Sequence, residues 1–155
     1  MSPEVKDFLD RAGVLYRVHA HPPRIAFEEH VADPSFDPTE AVKSLAFRLP
    51  DARYAIVGLR ARSRADYKRI ADALGVRRGD LRAATAEELA ADLDMQPGGV
   101  SPLPLKEAIV LLDIEIVSPG KVYCGSGRND ATIEISGHDL SRVANAIVCQ
   151  VSRSE

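Results

Sequence analysis

Lys43 opens a segment that is otherwise apolar, Ser44-Leu45-Ala46-Phe47 aside from its serine. An ammonium at the rim of a pocket can hold a phosphate or a polarised carbonyl oxygen. Lysines are mostly solvent-exposed, so position alone favours a solvated strand end. A second element is Gly98-Gly99-Val100-Ser101-Pro102. Two glycines let the backbone approach a ligand, and unpaired N–H groups in such a bend can bind an anion or the oxyanion of an ester under attack. Pro102 would stiffen the exit; a plain surface turn has the same composition. The third element, Gly125-Ser126-Gly127-Arg128, could close over a ligand with Ser126 donating a hydrogen bond, or be an ordinary hairpin loop. The fourth is an excess of base in Arg60, Arg62, Arg64, Lys68, Arg69, Arg77, Arg78 and Arg82. Such a run can steer and seat an RNA backbone, although a charge run is usually a solvated face.

The remaining polar residues offer little. His19, His21, His30 and His138 include no pair at the helical spacing a metal would use, and no GxSxG elbow accompanies them, so structural or solvent roles fit better. Asp92 and Asp94 share no helical face. Cys124 and Cys149 form no CxxC pair and have no companion at zinc-ligand spacing, which suits free thiols in a reducing compartment.

The 155 residues suit one domain spanning 1–155, large enough to fold on its apolar core without metal or disulfide. The net charge of −3 excludes a general polycation, so any RNA contact must come from a local patch. The N-terminus is charged throughout and lacks the apolar stretch of a signal peptide. The run Ala108–Leu112, stopped by Asp113 and Glu115, is too short to span a membrane. These features point to a soluble cytoplasmic protein with no membrane partner.

The elements that must position the four motifs follow from periodicity and punctuation. Ser2-Pro3 starts a helix in which Val5, Phe8, Leu9 and Ala12 share a face, ended by Gly13. Val14–Val18 reads as a strand. A Pro-rich segment, His19–Thr39, has room for a short helix near Ala26–Ala32. Strands Lys43–Leu49 and Arg53–Leu59 flank Pro50-Asp51-Ala52, a hairpin pattern. Ser63–Leu74 reads as a helix, and Thr85 with Glu88 as a capping box for a helix to about Leu93. Gln96–Pro104 is a loop; Ala108–Asp113 is an apolar and hence central strand. Lys121–Cys124 and Ala131–Ser136 are further strands. Ser136 and Asp139 cap a last helix in which Leu140, Val143, Ala144, Ile147 and Val151 line one face. Strands and helices interleave without a strict βαβ rhythm, which predicts an α+β fold with a mixed, curved sheet flanked by helices. No Rossmann or P-loop fingerprint is present.

This order of elements, with Lys43-Ser44 before an apolar stretch and a GxxxP loop at Gly98–Pro102, resembles the YbaK/prolyl-tRNA synthetase-associated editing domain family over nearly the whole chain. The resemblance implies an aminoacyl-tRNA deacylase that removes a wrong amino acid from tRNA, often tRNA for proline, acting in trans and without metal or cofactor. Its partners would be aminoacyl-tRNA and an aminoacyl-tRNA synthetase. It implies that Lys43 and the Gly98 and Gly99 amides are catalytic, working on a positioned water with help from the substrate's terminal ribose hydroxyl. Ile25, Phe27, Val100, Ser101, Pro102, Gly125, Ser126 and Gly127 would contact the substrate, and Arg60, Arg62 and Arg64 the tRNA. Departures are Thr132 where many relatives carry an aspartate, with Glu134 on the same strand face as a substitute; Leu103-Pro104-Leu105 after the loop; and His30 and Phe36 in the Pro-rich segment. Two other readings stay open: a non-catalytic tRNA- or synthetase-binding module of the same fold, and a hydrolase or binder of a small aminoacyl compound.

Overall fold

A computed structural model describes residues 1–24 and 36–153. The short helix expected near Ala26–Ala32, and with it Ile25, Phe27 and His30, lies outside the described residues.

Helix α1 (Pro3–Ala12) begins as its sequence dictates. Ser2 Oγ accepts the Val5 amide at 3.3 Å, Pro3 takes the first turn, and Val5 and Leu9 are buried. The strand expected at Val14–Val18 instead forms as β1, Arg17–Ala20. Leu15 is 89% exposed and the Tyr16 hydroxyl donates to Asp10 Oδ1 at 2.6 Å, so residues 14–16 connect rather than pair. Pairing starts where a neighbour exists, at Arg17 opposite Glu134.

The hairpin is present as β2 (Val42–Arg48) and β3 (Tyr54–Arg60), antiparallel from Val42 opposite Arg60 to Arg48 opposite Tyr54. Its turn closes through the Leu49 amide on Arg53 O at 2.8 Å. Short β4 (Arg82–Ala83) pairs with β2, while β5 (Ile109–Asp113) runs parallel to β3. Strands β6 (Lys121–Gly125) and β7 (Ala131–Ser136) pair antiparallel, and β1 pairs with the other edge of β7. The strands make two sheets, a three-stranded one in the order β1-β7-β6 and a five-stranded mixed one that begins β4-β2-β3-β5. They meet at a parallel bridge between Ala41 and Tyr123.

Two helices start later or end sooner than periodicity suggests. Helix α2 (Tyr67–Leu74) is capped by Asp66, which accepts the Arg69 amide at 3.1 Å. Residues 63–66, expected in the helix, instead meet the C-terminal segment: the Asp66 amide donates to Val151 O and Ala65 bridges Ser152. The capping box holds at α3 (Ala86–Glu88), which continues as a π-helical turn through Leu93. The last helix, α4, spans only Gly137–Val143. The chain turns at Asn145 (φ 47°) and continues as β8 (Ile147–Cys149), parallel to β5 at the edge of the five-stranded sheet. The apolar spacing fits a helix to Val151, but tertiary partners win. Leu111–Asp113 pair with Ile147–Cys149, and Asp113 Oδ2 accepts the Val151 and Ser152 amides at 2.9 Å each, which ties the chain just past β8 to the end of β5.

The five-stranded sheet carries core on both faces, as period-two alternation requires. Ile56, Val110 and Leu112 join Val5, Leu9, Ile133 and Leu140 on one side. Val57, Leu59 and Leu111 join Ile70 and Val151 on the other. Both thiols are free, with Cys124 buried. No helix among the described residues is long and apolar enough to cross a membrane.

Candidate active site

Where the two sheets meet, a cavity of about 220 Å³ opens. Lys43 and Ser44 of β2, Tyr123, Cys124 and Gly125 of β6, Thr132 of β7, and Gly98 and Val100 of the glycine-proline bend all line it, with Phe36 and Val42. A lone lysine and a bend more than fifty positions away thus face one space.

The Lys43 side chain is half-buried, and its Nζ donates to Ser63 O at 2.7 Å. Burial draws its pKa below the ordinary lysine value. No carboxylate lies within 4 Å of it among the described residues. Its charge is therefore held by one carbonyl and remains open to an anionic or carbonyl group in the cavity.

The bend is braced by main chain. The Gly99 amide donates to Gln96 O at 2.9 Å, and Gly99 O accepts the Gly127 amide at 2.6 Å. A β-carbon on Gly99 would lie 2.3 Å from the Arg128 carbonyl carbon, and one on Gly125 would lie 2.0 Å from Val100 O. Only glycine allows these approaches. Of the two amides expected to act, that of Gly99 donates to Gln96 and Gly99 is not among the residues that line the cavity. Gly98 and Val100 both line the cavity, and their amides have no acceptor among the described residues.

Other residues expected to contact the substrate make their bonds within the protein. Ser101 and Pro102 are buried away from the cavity; the Ser101 amide faces Met95 Sδ at 3.4 Å. Ser126 is fully buried, and its hydroxyl is 2.6 Å from Ala131 O, so it braces its own loop instead of reaching a ligand. Gly127 holds the loop to the bend through its amide and through its carbonyl, which accepts the Gln96 amide at 2.9 Å. Of this loop Gly125 alone lines the cavity.

Four of the eight basic residues in the run are ion-paired among the described residues. Arg60, expected to contact RNA, donates to Thr39 O at 2.6 Å and Glu115 O at 3.0 Å and lies 3.6 Å from the Glu115 carboxylate. Arg69, Arg77 and Arg82 pair with Asp66, Asp80 and Glu88, and Arg78 lies over the Tyr67 ring. Arg62 and Arg64 are exposed and form no ion pair within 4 Å among the described residues.

Several residues at the site escape sequence reasoning. Ser44 Oγ is buried and has no hydrogen-bond partner among the described residues. His19 and His21 do not line the cavity but contact residues that do, Phe36, Tyr123 and Thr132. His21 Nε2 lies 2.8 Å from Thr132 Oγ1, His19 Nε2 lies 3.1 Å from Glu134 Oε1, and Phe36 packs edge-on to Tyr123. The signal was available in two alternations, His-Ala-His and Thr-Ile-Glu, which place both pairs on matching strand faces. Thr132 reaches the cavity whereas Glu134 does not line it. Burial pushes the Cys124 thiol up to about 12, so it stays protonated and is no nucleophile at neutral pH. Among the described residues no three His, Cys, Asp or Glu side chains gather as a metal site would require.

No curated protein matches the chain. It is 25% identical to hypothetical protein APE2540, whose crystal structure superposes with a TM-score of 0.84 over 97% of this chain and 99% of that one. It is 21% identical to a protein described as a proposed trans-editing enzyme for prolyl-tRNA synthetase, with a TM-score of 0.83 and 99% of each chain covered. The sequence profile described as "Aminoacyl-tRNA editing domain" matches residues 21–143. The chain therefore belongs to the aminoacyl-tRNA editing domain family.

Proposed function

We propose that residues 1–155 form one editing unit that hydrolyses the ester between a wrongly attached amino acid and the terminal ribose of a tRNA, acting in trans. Water attacks the ester carbonyl, the acyl carbon–oxygen bond breaks, and the proton lost by water ends on the ribose oxygen that leaves. Negative charge develops on the carbonyl oxygen during attack. The Gly98 and Val100 amides receive it; oxyanion donors of this kind are worth about 3–4 kcal/mol of barrier. Lys43, oriented by the Ser63 carbonyl, holds the ribose-phosphate end or the aminoacyl group. Ser44 and Thr132 offer hydroxyls to the same substrate. An aminoacyl ester is reactive enough to need no enzyme nucleophile, and the protonated Cys124 is consistent with that.

The observation that carries the reading is the shared cavity of Lys43, Gly98 and Val100. Family membership supports the reaction class. The likeness to a protein described as a trans-editing enzyme for prolyl-tRNA synthetase supports tRNA for proline as substrate and a synthetase as partner.

The test is a deacylation screen across mischarged tRNAs, including tRNA for proline. At least one should be cleared, and Lys43→Ala should slow that clearance on the order of 100-fold without lowering the unfolding midpoint. Clearance of none would leave a non-catalytic binding module. Full activity in Lys43→Ala would remove the lysine from the mechanism.

A further inference from the structure

Residues 61–64 change sides. Ala61 lines the cavity, but Arg62, Ser63 and Arg64 line a separate, larger groove of about 880 Å³. Its opposite wall is Ser152 and Arg153, brought there because the Arg153 amide donates to Arg64 O at 2.8 Å and Ala65 bridges Ser152. Every lining residue is polar. Three of them, Arg62, Arg64 and Arg153, carry guanidinium groups with no carboxylate within 4 Å among the described residues. The one carboxylate on the wall, Glu115, is paired with Arg60. Asp37, near enough to feel Arg62, is engaged by the Thr39 amide and hydroxyl. The groove and the cavity share one turn: the Ser63 carbonyl that orients Lys43 belongs to a residue of the groove wall.

We infer that this groove seats the phosphodiester backbone of the RNA strand whose end enters the cavity, with Arg153 as a third contact beside Arg62 and Arg64. The inference rests on the proposed reaction for the identity of the ligand. A polar groove with unpaired cations suits a repeating anion better than an apolar side chain or a lone metabolite. Its continuity with the turn under Lys43 puts a bound strand and the reacting ester on the two sides of the same four residues. Arginine suits phosphate through its planar fork of donors.

The experiment measures binding of unacylated tRNA by fluorescence anisotropy between about 50 and 200 mM salt. The triple variant Arg62→Ala, Arg64→Ala, Arg153→Ala should bind at least about tenfold more weakly at the low-salt end. Its log–log salt slope should be shallower by about 2–3, since each lost phosphate contact removes roughly 0.7–0.9. Arg153→Glu alone should weaken binding several-fold; the Arg153 tie to Arg64 is through backbone, and unchanged unfolding midpoints would show both variants folded. A control, Arg53→Ala with Arg142→Ala, removes charge from arginines paired with Asp51 and Asp139. Affinity and slope within twofold of wild type, or an equal loss in the control, would overturn the inference. Because the readout needs no hydrolysis, a wild-type protein that binds tRNA steeply but clears no ester would sink the proposed function and leave the groove standing.

Discussion

Ser44 carries the sharpest expectation at the scale of one residue. Its hydroxyl is buried on the cavity wall with no partner among the described residues, an arrangement that ordinarily costs the folded state about 1–3 kcal/mol. A substrate group that accepts or donates there removes the deficit on binding. Ser44→Ala should therefore raise the unfolding midpoint slightly or leave it alone, while raising KM several-fold with kcat nearly unchanged. Steady-state kinetics on the mischarged tRNA identified by the screen check this; a fall in kcat at constant KM would place Ser44 in the chemistry instead. Lys43 and Gly98 stood out by residue type, a lysine opening an apolar run and a double glycine before a proline, but type alone favoured a solvated strand end and a surface turn; the family resemblance made both site candidates. The place of Ser44 and Tyr123 on one cavity wall was not legible, because it depends on how the two sheets meet at Ala41 and Tyr123, a contact between segments distant in sequence.

Elements whose signals are local came through the sequence intact. The Thr85–Glu88 capping box closes in both directions, with the Glu88 amide on Thr85 Oγ1 at 3.1 Å and the Thr85 amide on Glu88 Oε1 at 3.0 Å. Arg82 adds two bonds to the same carboxylate, at 2.9 and 2.8 Å. Led by the Arg82 bonds and then the Thr85 amide, these donors lower the Glu88 pKa from 4.5 to about 2. The folded protein thus holds Glu88 ionised more firmly than the unfolded chain does. Its contribution is complete above pH 4.5 and disappears as pH falls from there toward 2. Glu88→Gln should unfold earlier than wild type at pH 7, and the gap should close on acidification through that window; urea midpoints at several pH values would reveal a constant gap if the carboxylate were irrelevant. Elements fixed by distant partners were misread. The Leu140-to-Val151 spacing satisfies a helix, yet Asp113 and β5 recruit its second half into a strand, and no local cue at Ile147 or Val148 announces that. The same holds for residues 63–66, which look helical until the segment at 151–153 pairs with them.

Across the whole molecule, the cavity exists only because two sheets and two loops come together, and the joint between the loops is the tightest packing in the site. Gly125→Ala would set a methyl group 2.0 Å from Val100 O, so the bend must retreat. The variant should lose about 1–3 kcal/mol of stability by chemical denaturation and deacylate on the order of 100-fold more slowly. A stable, fully active Gly125→Ala protein would show that the bend can shift without harm. The α+β class was readable from the interleaving of helices and strands. The division into two sheets that touch at Ala41 and Tyr123 was not, since nothing in either strand's own residues marks the seam.

That joint is built from peptide groups: Gly99 on Gln96, Gly127 on Gly99, Val100 against Gly125. The rest of the cavity wall is built from side chains, among them Phe36, Val42, Tyr123 and Thr132. The two layers can drift independently. Under the proposed reaction, variation at those four wall positions would re-tune which amino acid is rejected while the peptide scaffold stays put, so descendants of such a protein would gain new proofreading duties without reinventing the chemistry.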